Sequence, residues 1–529
     1  MCGIWAYISS QKELRDYYNY FQKIKHRGPD ASIYTQINNV AIGFHRLSIL
    51  ERSFNGNQPY MIDNTIFICN GEIYNYEDLI KEYNLKINNH ADCLTILHLY
   101  KNLPEDEFLN VLKNKIKAEY AFMIFDFDEN HQLKKIIASR DHVGVRPLYY
   151  GYNDDEMFFS SELKGIPIDF EPKEFPCGNL FIYDYKKKES TYLDYTTIYD
   201  TVEVEDDYKN YLNNIKDSLT EAVKRRLIAD DDVEIGFYLS GGLDSSLLCS
   251  IASKLLYPKR IRTFAIGFKE STDLPYAKMV AEYINSDHTE IIIDENDALK
   301  IIDDVIYATC TYDVTTIRAS CGQYLISKYI KENTNIRVII NGDGSDEVCG
   351  GYIFNYNAPS PKDFHDACKK YVKEIHMYDG RRLDRTLSYF SLEARVPFLD
   401  IDFIKSYWNI PANLRMPVYK NVEKYLLREA FDDYKHLPKE CLFRKKEAFS
   451  DGISSKKKSW FKTIQDMISE LELNPSDYDA PTEEAAYYKK VFIKRFGKNK
   501  LNIIPAYWQP AFQNNSGYID PSARILDAY

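Results

Sequence analysis

The chemistry this chain offers begins at its second residue. Cys2 directly follows Met1. Once Met1 is removed, the thiol stands beside its own free α-amino group. Such an amine titrates near about 7.7–8.0 and is matched to take a thiol proton, so one residue supplies both nucleophile and base. Two later loops carry a different chemistry. SGGLDSS (240–246) follows the apolar run VEIGFYL and opens a helical pattern. Gly241 and Gly242 let backbone N–H groups face a phosphate, while Ser240, Ser245, Ser246 and the helix N-terminus add donors. No lysine follows the glycines, so this is not the GxxxxGK[ST] loop. GDGSDE (342–347) follows the apolar RVIIN in the same way. Asp244 offers hard oxygen ligation for Mg²⁺, with Asp346 opposite it. Read residue by residue, plainer alternatives stand. Cys2 also suits methionine processing, and SGGLDSS also suits a turn that caps a helix.

The elements that must hold these groups fall into two styles. In the first third, IWAYI (4–8), NVAIGF (39–44), TIFICN (65–70), AFMIFDF (121–127), KKIIASR (134–140), PLYYGY (147–152) and EMFFSSE (156–162) read as short strands. YEDLIKEYN (76–84) and DCLTILHLYKNL (92–103) read as helices, with Asp92 capping the second. This predicts an α/β-layered domain on antiparallel sheets. A linker is expected at 185–207, between YDYKKKES and the acidic TVEVEDD. From Tyr208, strands at 233–239, 261–268, 289–294 and 337–341 alternate with helices at 208–228, 245–256 and 274–285. That alternation predicts a parallel, doubly wound sheet whose strand ends bind ligands.

Composition bounds the rest. With 529 residues, 45% hydrophobic and 28% charged, the chain predicts a globular protein of two domains. A net charge of −12 argues against nucleic acid as partner, and no apolar run is long enough to predict a membrane span. The ten cysteines show no CxxC pair and no zinc spacing, which predicts a reducing, cytoplasmic setting.

Taken together, MCGIWA, HRGPD (26–30), RLSIL (46–50), NGEIYN (70–75), AD (91–92) and RDHVGVRPLYYG (140–151) resemble the N-terminal-nucleophile glutaminase family over about residues 2–165. SGGxDS resembles the signature of ATP pyrophosphatases. TYDVTTIRAS (311–320), SLEARVPFLD (391–400) and RKKEAFSDG (444–452) extend that likeness, from about Leu239 to Gly452, to the glutamine-hydrolysing asparagine synthetases. The resemblance implies an N-terminal-nucleophile αββα sandwich at 2–190 and an ATP-pyrophosphatase domain at 208–529. It implies that glutamine is held by Arg46, Leu47, Ser48, Ile49, Leu50, Asn70, Gly71, Glu72 and Asp92. Arg46 suits the α-carboxylate, Glu72 and Asp92 suit the α-ammonium, and Asn70 and Gly71 suit the oxyanion. Asn70-Gly71 directly after TIFIC also fits a hairpin turn, and Arg46 with Asp92 a surface ion pair. ATP is expected at Leu239, Ser240, Gly241, Gly242, Asp244, Ser245, Ser246, Ile266, Gly342, Asp343, Asp346 and Lys446, with Mg²⁺ on Asp244 and Asp346. Lys446 is implied to meet the phosphates and Arg318 to stabilise charge in aspartate adenylation. One departure is Asp343, where many such synthetases carry Glu.

The implied partners are therefore glutamine, aspartate and ATP; a homodimer stays open. The two sites are expected to face each other across the domain interface along an enclosed path. Competing readings are an amidotransferase for another carboxylate, a β-lactam-forming relative, against which Cys2 counts, and a catalytically silent binding protein.

Overall fold

A computed structural model describes residues 1–9, 14–433, 435–445, 459–512 and 520–521. The chain first builds two six-stranded antiparallel sheets. One has the order β10-β8-β9-β1-β3-β2, from β1 (Gly3–Ser9), β2 (Ala31–Ile37), β3 (Val40–Arg46), β8 (Tyr149–Tyr152), β9 (Glu156–Ser160) and β10 (Lys173–Glu174). The other has the order β12-β11-β7-β6-β5-β4, from β4 (Tyr60–Ile62), β5 (Thr65–Ile73), β6 (Ala118–Phe127), β7 (Leu133–Arg140), β11 (Asn179–Asp184) and β12 (Glu189–Asp194).

The sheets stack because their central strands are apolar on both faces. In β1, Ile4, Ala6 and Ile8 pack with Ile66, Ile68 and Met123 between the sheets, while Trp5 and Tyr7 pack outward on Phe21. The helices Tyr76–Glu82 and Leu94–Asn102 cover the far face of the second sheet through Leu79, Ile96 and Leu97. This is the expected αββα layering. Burying a large side chain of this kind contributes about 1.5–3 kcal/mol, which the alternation of two core faces supplies repeatedly.

Two sequence expectations are corrected here. The stretch 185–207, read as a linker, contributes β12, an exposed and charged edge strand paired with β11. Asn70 and Gly71 lie inside β5, opposite Ala121 and Tyr120, and not in a turn after it.

The second region is built on a five-stranded, all-parallel sheet: β13 (Glu234–Tyr238), β14 (Arg262–Phe268), β15 (Asp287–Ile293), β16 (Ile336–Ile340) and β17 (Glu393–Arg395). Its order is β15-β14-β13-β16-β17. The chain winds outward from β13 to β15, then returns to place β16 on the other side of β13. The order therefore reverses between β13 and β16, and the loops leaving those two strands must splay apart there. Such a reversal opens a crevice at the carboxyl ends of the strands. Helices Leu243–Leu255, Leu274–Tyr283 and Val314–Asn333 pack on the sheet. A helical layer with Trp460, Ile464, Tyr488 and Phe492 adds a further core around Ile302, Val305 and Ile317. Among the described residues, no helix is long and apolar enough to cross a membrane.

Candidate active sites

Cys2 immediately precedes β1, whose register against β3 pairs Gly3 with His45. This brings the thiol to the start of RLSIL: the Leu47 N–H donates to Cys2 Sγ at 3.5 Å, and the thiol lies 3.7 Å from the Leu47 carbonyl. Arg27 of HRGPD fixes the same corner. Its Nε donates to the Cys2 carbonyl at 2.8 Å, and its Nη1 donates to Asp384 of the second region at 2.8 Å. Met1 is present and fully buried, so the Cys2 nitrogen is an amide. Burial pushes the Cys2 thiol up to about 11, although the nearby N-terminal amine opposes this. In this form the thiol has no adjacent free amine of its own and is a weak nucleophile.

β5 places Asn70 and Glu72 on its inter-sheet face, the face of Ile66 and Ile68, and a loop residue, Asp92, bonds to the end of the same strand. Asn70 is fully buried, and neither its side-chain nitrogen nor its oxygen has a hydrogen-bond partner among the described residues. A buried polar group left unmatched costs roughly 1–3 kcal/mol. A bound molecule carrying its own donor and acceptor removes that cost. Asp92 does not cap the following helix, whose N-cap is Cys93 with no side-chain bond. Its Oδ2 instead accepts from the Ile73 N–H at 2.7 Å, which turns the carboxylate inward. Burial then pushes Asp92 up to about 6. Burial also raises Glu72 well above the carboxylate range, reinforced by the charges of Glu393 and Asp92. A cationic group bound beside them would oppose both shifts and favour the ionised carboxylates.

Arg46 donates to neutral partners: the carbonyls of Ser53 (2.7 Å), Leu50 (3.3 Å) and Glu51, and Asn57 Oδ1 (2.8 Å). Among the described residues its hydrogen bonds all go to neutral oxygens. Leu47 and Ile49 pack against Val233 and Val338 of the second region, and the Ser48 N–H donates to Asp30 at 2.7 Å. Of RLSIL, Arg46 carries the charge, Leu47 and Ile49 serve the interface, and Leu50 packs on the core of the first region.

The second region sends charges of its own into this corner, from the string SLEARVPFLD. Arg395 of β17 reaches Glu72 at 3.5 Å and Glu393 at 2.9 Å, and Glu393 lies 3.9 Å from the Met1 amine. Arg146 joins Glu119 at 3.1 Å and Glu393 at 3.7 Å, and Arg226 joins Glu119 at 2.9 Å and Asp400 at 2.8 Å. All of these side chains are buried.

The second site lies at the β13/β16 reversal. A cavity of about 250 Å³ there is lined by Leu239, Ser240, Gly242, Asp244, Ser245, Ile266, Arg318, Gly342, Asp343 and Asp346. The two loops touch at Gly342, where a Cβ would lie 2.9 Å from the Ser245 nitrogen; only glycine permits this approach. Gly241 and Ser246 are not on the wall, and Ser246 is fully buried. Lys446 and the string 446–452 lie outside the described residues, as does most of DPSARIL (520–526).

The charges named on this wall have ionic partners, some on the wall and some behind it. Lys424 Nζ contacts both Asp244 oxygens at 2.7 Å and Asp346 Oδ1 at 2.5 Å. Arg382 holds Asp343 at 3.1 Å; burial raises Asp343, and Arg382 opposes the rise. Arg318 Nε donates to Glu484 at 2.9 Å, and its Nη2 donates to Asp520 at 2.9 Å. Sequence reasoning missed Lys424, Arg382 and Glu484. A second, small cavity is lined from the first region by Gly144, Val145 and Arg146 and from the second by Asp343, Leu383 and Ala394. Asp343 lines both cavities.

Comparison with known proteins fits this layout. The glutamine amidotransferase domain family matches residues 1–201, and the asparagine synthase family matches 214–368 and 355–511. A probable glutamine-hydrolysing asparagine synthetase of Acanthamoeba polyphaga mimivirus is 39% identical, covering 99% of this chain and 100% of its own. The glutamine-hydrolysing asparagine synthetase of Gallus gallus is 38% identical over 100% of this chain and 99% of its own. Among solved structures, a glutamine phosphoribosylpyrophosphate amidotransferase from B. subtilis covers 55% of this chain and 65% of its own, at 16% identity and a TM-score of 0.31. With an amidotransferase domain in front and a synthase region behind, aligned end to end with such relatives, the chain belongs to the glutamine-hydrolysing asparagine synthetase family.

Proposed function

We propose that this chain makes L-asparagine: ATP, L-aspartate, L-glutamine and water give AMP, diphosphate, L-asparagine and L-glutamate. The observation that carries the reading is the lining of the small cavity by both regions, with Asp343 shared between it and the nucleotide pocket. The domains are taken as 2–190 and 208–529, the first extended by β12 to Asp194.

In the glutaminase half, the free amine of Cys2 takes the thiol proton and the thiolate attacks the glutamine amide carbon. The Asn70 side chain and the Gly71 N–H receive the developing oxyanion, for which the unmatched Asn70 amide is support. Arg46 meets the α-carboxylate; Glu72 and Asp92 meet the α-ammonium. The protonated amine returns its proton to the departing ammonia. Water then hydrolyses the thioester, releasing glutamate and restoring Cys2.

In the synthetase half, the aspartate side-chain carboxylate attacks the α-phosphorus of ATP and diphosphate leaves. Arg318 and Lys446 meet the phosphate charge. Ammonia attacks the activated carbonyl, AMP leaves, and Asp343 accepts the proton ammonia sheds. Asp244 and Asp346 would hold Mg²⁺, since both already converge on one cation. Among the described residues no third carboxylate, His or Cys completes a metal cluster, which suits an ion that keeps water and phosphate oxygens as its other ligands. Held there, Mg²⁺ would supply positive charge for the departing diphosphate. The ten cysteines are all free, which supports a cytoplasmic setting.

The test is asparagine formation from aspartate and ATP, once with glutamine and once with an ammonium salt. Asparagine and AMP in equal amounts in both assays are expected. Diphosphate release that requires a different carboxylate would overturn the substrate assignment.

A further inference from the structure

We propose that Lys424 is a stand-in cation: its ammonium occupies the metal position between Asp244 and Asp346 while nucleotide is absent, and moves onto phosphate when ATP brings the metal in. The proposal rests on the reading of those two aspartates as magnesium ligands. Its footing is the way the lysine is held.

Lys424 Nζ lies 2.7 Å from each oxygen of Asp244, 2.5 Å from Asp346 Oδ1 and 3.1 Å from Ser345 Oγ. These four oxygens share the three donors of the ammonium. Ser345 Oγ also donates to Asp244 at 2.8 Å, so the hydroxyl ties the carboxylate in place. The lysine side chain is 1% exposed, a rare setting for a residue whose charge is normally in water. Two backbone features make room for it. Lys424 has φ +55°, left-handed for a non-glycine residue, and strain of this kind persists only where the surroundings impose it. Opposite it, a Cβ on Gly351 would lie 1.9 Å from Lys424 Cε and 2.2 Å from Asp346 Oδ1, so only glycine admits the stem.

An ammonium and a magnesium ion cannot share this point. Mg²⁺ requires its oxygens at about 2.0–2.1 Å, and the lysine nitrogen already sits between the same two carboxylates. The stem is long and flexible, and the residue lines the nucleotide cavity, so phosphate oxygens are within its reach once ATP enters. The ligand-free protein then keeps its two carboxylates neutralised and gathered, and takes up the metal only together with nucleotide.

The experiment uses Mn²⁺ as probe on the full chain, with free Mn²⁺ read by electron paramagnetic resonance. Wild type should take up little Mn²⁺ alone and one equivalent with α,β-methylene-ATP. Lys424→Met should bind Mn²⁺ without nucleotide at least tenfold more tightly than wild type. Lys424→Arg should behave as wild type, and Asp244→Asn added to Lys424→Met should erase the gain. If wild type takes up no Mn²⁺ even with the analogue, the metal-site reading itself falls. If it does so with the analogue, yet Lys424→Met gains nothing, only the role of Lys424 falls. Should Lys424→Met fail to fold, judged by loss of glutamine hydrolysis at the other site, wild type decides alone. Uptake of Mn²⁺ as tight without nucleotide as with it would overturn the proposal.

Discussion

The two sites of this molecule prepare for their ligands in opposite ways. At the Cys2 corner both ends of the Asn70 amide lack a partner among the described residues and Arg46 donates to neutral carbonyls and an amide, although Glu72 already meets Arg395. At the β13/β16 crevice every wall charge named above is matched: Lys424 with Asp244 and Asp346, Arg382 with Asp343, Arg318 with Glu484 and Asp520. The difference follows from what each would receive. A zwitterionic amino acid carries few charges, and a site can wait for it at modest cost. A polyphosphate brings several charges, and a wall of bare cations and carboxylates would not hold its shape without exchanging partners. The first site is completed by addition, the second by substitution.

The sharpest way to break this comparison is to cross the two chemistries. Cys2→Ala should abolish glutamine hydrolysis and leave ammonium-driven asparagine formation largely intact; Asp244→Ala should do the reverse. Each loss should reach at least about 10²–10³ in rate, read as glutamate and AMP separately. Loss of both activities in a folded Cys2→Ala protein would show that the halves are not chemically independent. Protein whose mass retains Met1 should likewise show negligible glutaminase activity, because the amine is locked in a peptide bond.

Stability separates an unmatched site from a matched one. Asn70→Ala should cut glutamine hydrolysis by about 10²–10³ yet leave Tm unchanged or raised, since it removes a buried group with no partner. Glu484→Gln breaks a buried pair with Arg318 and should cost about 3–5 kcal/mol in a denaturant or thermal melt. Equal destabilisation by the two would erase the contrast.

The smallest effect is one of pH. Burial raises Asp92 to about 6, so below that value it is protonated and neutral and above it charged. The carboxylate that would hold the glutamine ammonium is therefore lost as pH falls, and kcat/KM for glutamine should drop about tenfold per unit below roughly pH 6. Asp92→Asn should flatten that limb. A wild-type profile flat across this range would remove Asp92 from ammonium binding.

What could be read from the sequence was what lies consecutively in it. Asn70, Gly71 and Glu72 share one strand, and the strands around β13 follow apolar runs whose ends carry the loops. The reversal between β13 and β16 was foreshadowed by two similar glycine loops but needed the strand order to become visible. Residues brought in from afar were not legible. Lys424 precedes YLLREA and reads as the exposed start of a helix, whereas its left-handed backbone turns the side chain inward. β17 is three residues long and carries two charges, so no periodicity marks it; pairing with β16 and buried ion partners make it a strand. β12 misled for a similar reason, since an edge strand that must stay wet looks like a linker. Asp92 sits where a helix cap belongs, but a backbone amide inside the site competed for it and won.

β17 has a consequence for the two halves as separable goods. The strand is the edge of the parallel sheet, yet Glu393 and Arg395 project into the corner beside Cys2, and the Ala394 carbonyl accepts from Arg146 of the first region at 2.9 Å. A glutaminase half expressed alone would keep the Arg146–Glu119 pair but lose Arg395 from Glu72, Arg226 from Glu119 and Glu393 from Arg146. Cutting at the linker therefore divides the polypeptide but not the structural unit. A chimaera that exchanges either half with a relative must carry the three residues of β17 along with the half they serve, not with the sheet in which they hydrogen-bond.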